Sequence, residues 1–375
     1  MTDMKRWIED HFEEHKALLK RFAAIPAPSG SEDGRVRFLM EYISALGYEP
    51  FTDEAKNVLV RLGGEGRAAC FMAHTDVVFP DTEPLPVREE GGRLFAPGIG
   101  DNSADVCAML TMLKYFREHG MEPKSPLLFV FDSCEEGLGN LKGVRRVMSD
   151  HGDGIESVVC FDCSLDEGLI TRAVGSERWR VACTTRGGHS FAAFGSPSAI
   201  HRTAELITKL YVQALPEKPG SRTTYNAGVF TGGTSVNTIA QRCEMLYEYR
   251  SDDHECLEFM RKQLEELLAG ADCEEAHFEA ELIGERPCGK AVDEKALAAL
   301  ITRCEDAIVS VTGEKPARSA GSTDANIPLS LGVPAVTFGL LIGEGAHTRE
   351  EWLYTDSLKI GLEIGLKLLC DNWFR

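Results

Sequence analysis

Five short stretches of this 375-residue chain carry side chains that could share a metal ion or move a proton. His74-Thr75-Asp76 places an imidazole and a carboxylate two positions apart, and on an extended segment such side chains point the same way. The ring can then face a metal while the carboxylate holds its other nitrogen in one tautomer. Gly98-Ile99-Gly100-Asp101-Asn102-Ser103 reads first, by spacing alone, as a glycine-rich turn and helix N-cap, although one oxygen of Asp101 can cap while the other binds. Asp132-Ser133-Cys134-Glu135-Glu136-Gly137 follows a buried apolar run. Adjacent glutamates there raise each other's pKa unless cations hold them, and because neighbours project differently, one can ligate while the other serves as general base. Asp162 closes the apolar run Val158–Phe161, and His347 lies in the glycine-rich segment 343–348.

Each has an ordinary explanation when taken singly: a polar strand end, a cap, a structural histidine. Cys160 and Cys163 form a C-x-x-C spacing, but no second pair accompanies it and residues three apart on a strand face opposite sides. A structural zinc or redox role for that pair is therefore set aside.

The elements that must position these residues alternate between short apolar runs and helical patterns. Helices are predicted over 5–24, 32–46, 103–118 and 138–148, and strands over 57–62, 68–73, 127–131 and 157–162. In the helix 103–118, Val106, Leu110, Leu113 and Tyr115 or Phe116 are expected to face inward. Near Gly175 the pattern changes to half-exposed alternation, giving strand, helix, strand, strand, helix, strand up to about residue 283. After Pro287 the earlier pattern returns, with helices over 294–311 and 356–373 and a strand over 335–339. The expected fold class is α/β. A discontinuous catalytic domain, residues 1–175 and 285–375, builds a mixed sheet between helices, and a ferredoxin-like β-α-β-β-α-β domain, residues 176–284, is inserted in it. In open α/β sheets the carboxyl ends of the strands are where sites are built, and the five stretches fall at such ends or the loops beside them.

Composition narrows the function classes. Lysine and arginine total 40 against 59 aspartates and glutamates, a formal net charge of −19 that repels phosphate backbones and anionic membranes. No apolar run is long enough to span a bilayer, and the first 25 residues lack the apolar centre of a signal peptide. Twelve scattered cysteines without a short-loop framework then suit reduced thiols in the cytoplasm. A dinucleotide binder is set aside too, since Gly98-Ile99-Gly100 is only a fragment of the required turn.

Two histidines with three or more carboxylates suit zinc or a related divalent ion, and they are enough for one carboxylate to bridge two metals. The motifs F-M-A-H-T-D-V-V-F-P, G-D-N, E-E-G and G-A-H-T, in this order, resemble the di-zinc peptidase/aminoacylase superfamily. That superfamily includes peptidase T, carnosinases, glutamate carboxypeptidase and succinyl-diaminopimelate desuccinylase. The segments 231–239 and 322–327 look most like the peptidase T-like branch, whereas Asn102-Ser103-Ala104-Asp105 departs from the Asp-Asp-Lys-Gly often found after the bridging position.

The resemblance implies that Asp101 bridges two divalent ions, zinc or else cobalt or manganese, with His74 and Asp162 completing one and Glu136 and His347 the other. It implies that Asp76 orients His74, that Glu135 is the general base, and that the bond between Asp101 and Asn102 is cis. His189, in Gly187-Gly188-His189-Ser190, matches a histidine that reaches the partner subunit's site to hold an oxyanion. Asn237 matches an asparagine near the substrate, and Arg250 an arginine suited to clamping a carboxylate. A homodimer through the inserted domain follows from the same likeness. The expected activity is hydrolysis of an amide bond in a short peptide, in the manner of a di- or tripeptide aminopeptidase, by a water that two metals and Glu135 activate. Removal of the acyl group from N-acyl amino acids is the alternative. A non-catalytic metal-binding scaffold is a remote one, since the base and all five inferred ligands are in place.

Overall fold

The structure is a computed structural model and describes residues 3–374. The chain divides into two compact units, Met1–Ala173 with Lys290–Arg375, and Val174–Gly289.

The first unit is built on an eight-stranded mixed sheet. Its order is Phe51–Thr52, Val58–Leu62, Leu127–Asp132, Ala68–His74, Ile155–Cys160, Ala335–Thr337, Leu169–Ala173, Arg318–Gly321. The strand Ala68–His74 runs parallel to both of its neighbours, and Ala335–Thr337 is parallel to Ile155–Cys160. Four parallel strands thus end on the same edge. Alternation along them feeds two separate cores. Phe71, Phe129, Phe131 and Phe161 meet the helices Asp3–Ala23, Asp105–Glu118, Glu294–Thr312 and Ser357–Trp373 on one face. Cys70, Met72, Leu128 and Val130 meet Lys142–His151 and Asn326–Ser330 on the other. Both faces are covered, so these strands read as unbroken apolar runs. Phe71 stacks on Phe129 and Phe161 with ring centroids 5.6 and 6.1 Å apart, and such pairs add about 0.5–1.5 kcal/mol each beyond their buried area.

Two local expectations are corrected. The helix expected from residue 138 begins only at Lys142, because Cys134, Gly137, Asn140 and Leu141 all take left-handed backbone angles and turn the chain beforehand. Asp101 is not an N-cap: a π-turn occupies Ile99–Ala104, the helix starts at Asp105, and its N-cap residue is Ala104 with no side-chain cap. The residues expected to face inward in it, Val106, Leu110, Leu113, Tyr115 and Phe116, are all buried, as are most of the others, since the helix lies between the sheet and neighbouring helices. A small antiparallel sheet, Gly343–Glu344, Trp352–Tyr354, Arg93–Phe95 and Arg88–Glu90, had no clear signature because its strands are two or three residues long.

The second unit is a four-stranded antiparallel sheet in the order Thr223–Gly232, Arg242–Ser251, Gly175–Thr185, Ala276–Arg286. The helices Ala199–Val212 and His254–Ala271 pack on it through Leu206, Leu210, Leu257, Met260 and Leu264. The chain order is β-α-β-β-α-β. No helix among the described residues is long and apolar enough to cross a membrane, and all twelve cysteines are unpaired.

Candidate metal centre

At the carboxyl edge of the eight-stranded sheet the chain must leave each strand, and the residues that do so converge. His74 is the last residue of its strand and pairs in register with Asp132. Its loop is tied down at once, as Thr75 donates both its backbone N–H and its hydroxyl to the Asp132 carbonyl at 2.7 Å. His74 Nε2 then lies 2.9 Å from Asp101 Oδ1 and 4.0 Å from Asp162 Oδ1. His347, on a turn closed by the Thr348 N–H to the Gly345 carbonyl, lies with Nε2 3.1 Å from Asp101 Oδ2 and 3.0 Å from Glu136 Oε1. The two oxygens of Asp101 therefore face different histidines. The Asp101–Asn102 peptide is cis, and the Asn102 side chain donates to the Phe161 carbonyl at 2.8 Å.

Asp76 lies fully buried behind this group. Its Oδ1 is 3.5 Å from His74 Nδ1, and the shorter ring contact, 3.2 Å, is to the Asp76 carbonyl. The main bonds of the Asp76 carboxylate go elsewhere: Oδ1 accepts the Glu135 N–H at 2.9 Å, and Oδ2 accepts the Glu136 N–H at 3.0 Å and the Ser29 hydroxyl at 2.5 Å.

The charges are mutually adjusted. Burial pushes Glu136 up to about 7, with the Asp101 charge adding to it, and burial lifts Asp162 well above the usual carboxylate range. Burial opposes ionisation of Asp101 as well, but hydrogen bonds from His347 and His74 outweigh it and hold that carboxyl well below its ordinary value. Burial would lower the His74 pKa, yet Asp101 and Asp76 carry it well above normal. Asp101 and Glu136 raise His347 to about 10. Protons on the imidazoles thus balance an excess of carboxylates, a role that divalent cations would take over as they displaced those protons.

Among the described residues, three donor sets have ligand atoms within 4.8 Å of one another: His74, Asp101 and Asp162; Asp101, Glu136 and His347; and His74, Glu135 and Glu136. Imidazole nitrogens and carboxylate oxygens in this number fit zinc and related divalent ions. A cavity of about 520 Å³ adjoins Asp101 and Asp162 and is walled further by Ser164, Asp166, Glu344 and Trp352.

The remaining predicted residues lie in the second unit. His189 and Asn237 come together because Gly188–His189 pairs with Thr238–Ile239, and the Ser190 N–H donates to the Asn237 carbonyl at 3.0 Å. Both side chains are exposed. His189 Nδ1 accepts the N–H groups of Phe191 and Ala192 at 3.3 and 3.4 Å, which leaves the ring proton on Nε2. Arg250 is not part of this group. It pairs with Ser176 at one end of the sheet whereas Arg242 pairs with Thr184 at the other, eight residues or roughly 26 Å along the strand. Its guanidinium binds Glu248 at 2.9 and 3.2 Å.

Sequence reasoning missed several supports. Glu32 Oε1 accepts the Gly30 N–H at 2.6 Å and the Cys134 N–H at 3.3 Å, and Arg35 donates to the Thr75 carbonyl at 2.9 Å. Their signal was present: Glu32, Arg35, Leu39 and Ile43 share helical spacing and are all fully buried, so two charges occupy the core face of a helix. Ser29 and Glu351 had no comparable signal.

The model of a known family, peptidase family M20/M25/M40, matches residues 70–371. Succinyl-diaminopimelate desuccinylase from Bradyrhizobium sp. is 26% identical over 323 residues, covering 81% of this chain and 82% of the relative. A tripeptidase from Staphylococcus aureus superposes with a TM-score of 0.78 at 22% identity, covering 95% of this chain and 97% of that one. Aminopeptidase PepT from Bacillus cereus gives 0.75 at 20% identity over the same shares. The likeness to these two structures is one of fold.

Proposed function

The chain belongs to peptidase family M20/M25/M40, metal-dependent amide hydrolases, and from that premise we propose that it cleaves short peptides at a centre of two divalent ions. The observation that carries this reading is Asp101, whose two oxygens stand at 2.9 and 3.1 Å from His74 and His347. Asp101 would be shared between the ions, with His74 and Asp162 on one and Glu136 and His347 on the other. Zinc suits these donors, as do cobalt and manganese.

Ions held there by His74, Asp101, Glu136, Asp162 and His347 would polarise the amide carbonyl and acidify water. Glu135 takes the proton of the attacking water and returns it to the leaving amine, while Glu136 stays a ligand. The bonds that the Asp76 carboxylate accepts from both main-chain N–H groups keep these adjacent roles apart. His189, with its proton on Nε2, is suited to donate to an oxyanion in the centre of a second copy of the chain. Asn237 beside it would contact substrate. For Arg250 to clamp a substrate carboxylate, its guanidinium must release Glu248. Homodimerisation through the second unit is supported by its open edge strand Thr223–Gly232, where Val229 and Phe230 are each 43% exposed. A cytoplasmic location accords with twelve unpaired thiols.

Release of an acyl group from an N-acyl amino acid is the second reading, favoured by the desuccinylase relative. Turnover of di- and tripeptides beside N-acetyl and N-succinyl amino acids, followed by mass spectrometry on zinc-, cobalt- or manganese-loaded protein, separates the two. Peptide cleavage that vanishes in Glu135→Gln is the expected result. Acyl release alone would replace it with the second reading, and no turnover with metal bound would refute both.

A further inference from the structure

The turn that presents Asp101 is closed around the buried carboxyl group of Glu351. Gly98 sits at φ 70°, and a Cβ there would meet Val77 Cγ1 at 2.4 Å, so only glycine lets the chain bend at this point. The bend aims three backbone donors at one carboxylate. Glu351 Oε2 accepts the Gly98 N–H at 2.7 Å, and Oε1 accepts those of Gly100 and Asp101 at 2.7 and 2.8 Å. Glu351 is 2% exposed, and its own carbonyl accepts the Ala96 N–H at 3.2 Å. It immediately precedes the short strand Trp352–Tyr354 and follows His347 by four residues.

We infer that Glu351 is a positioning residue for the candidate metal centre, a role that rests on the two-ion reading above. Backbone amides converging on one carboxyl group form a rigid nest. With the peptide planes on both sides of Gly100 held in this way, the Asp101 side chain leaves the backbone in one direction. Its Oδ1 is then kept toward His74 and its Oδ2 toward His347. Glu351 touches neither histidine. Through the N–H bonds its carboxyl oxygens accept it grips the turn of Asp101, and through four residues of chain it anchors the turn of His347, so both ligands belong to one braced segment. Gly100 belongs to the same device, since a Cβ there would come within 3.2 Å of Glu351 Oε1.

Cobalt(II) titration of the full chain tests this, read by calorimetry and by the visible d–d band, with circular dichroism reporting the fold. Wild type is expected to take two ions. In Glu351→Gln the amide NH₂ must face a backbone N–H, donor against donor, and cobalt should bind about 10–100-fold more weakly with an altered band, as when other outer partners of metal ligands are removed. Gly100→Ala displaces the same carboxylate without changing charge and should weaken binding in the same direction. The double variant should be no worse than Glu351→Gln alone, because both act on one interaction. A folded Glu351→Gln with the affinity and band of wild type overturns the role. Should that variant not fold, Gly100→Ala decides, and an unchanged band there overturns it. Two ions weakened by Asp101→Asn but not by Glu351→Gln would remove only the positioning role. A wild type that takes no cobalt would remove the metal reading itself.

Discussion

Asp76 Oδ1 accepts the backbone N–H of Glu135 at 2.9 Å, so the carboxylate behind His74 also anchors the proposed general base by its main chain. The other oxygen does the same for Glu136. In Asp76→Asn only one of these bonds can persist, because the amide NH₂ opposes the other N–H. Displacement of a reacting group by about 1 Å can cost roughly 10²-fold, and kcat is expected to fall by about that much. Steady-state kinetics with metal analysis check it. The expected pattern is a lowered kcat, a nearly unchanged KM and unchanged metal content, whereas loss of metal would assign Asp76 to ligand orientation alone.

Metal loading should depend on pH with a definite sign. The metal-free centre keeps protons on His74, raised well above its ordinary value, and on His347, raised to about 10. A metal must displace them, so binding releases protons and tightens as pH rises toward these values. Zinc titrations between pH 6 and 8 in buffers of different ionisation enthalpy read the release directly. Affinity independent of pH would contradict the assigned ligands.

His15 makes a separate prediction about stability. It is buried on the helix Asp3–Ala23, with Nδ1 2.8 Å from Thr111 Oγ1, and burial lowers its pKa from 6.5 to about 4. The unfolded chain binds a proton near pH 6.5 that the folded chain refuses until about 4. Between those values the unfolded state holds more protons, so this contribution is full above pH 6.5 and is lost as pH falls. It amounts to about 3 kcal/mol. Urea midpoints at pH 7 and pH 4.5 should differ more for wild type than for His15→Gln, and equal differences would refute the assignment.

The open edge of the second unit bears on assembly. Placing lysine at Val229 and Phe230 puts charge on the strand Thr223–Gly232, an edge to which no second strand pairs among the described residues. Light scattering should show a dimer for wild type and a monomer for the double variant, with activity falling in parallel if His189 serves the partner. A monomeric wild type would remove that role.

Much of the molecule was legible because it rests on local periodicity. Apolar runs such as 68–73 and 127–131 announced buried strands, and the change to alternation near Gly175 announced a second sheet with one exposed face. His74, Asp101, Glu135, Glu136, Asp162 and His347 could be singled out because polar groups that close apolar runs or sit in glycine-rich turns stand out against their neighbours. Their convergence was decided only by tertiary structure. Asp101 and His347 meet across 246 positions of chain because Glu351 ties one turn to the other, and no local pattern encodes a bond between a side chain and an amide 250 residues away. Arg250 shows the same limit. Its residue type suits a carboxylate clamp, and only strand register shows that it stands at the end of the sheet away from His189 and Asn237. Residue chemistry and spacing are properties of the chain itself, whereas which loops share an edge, and which donor turns inward, depends on long-range pairing that forms only when the sheet closes.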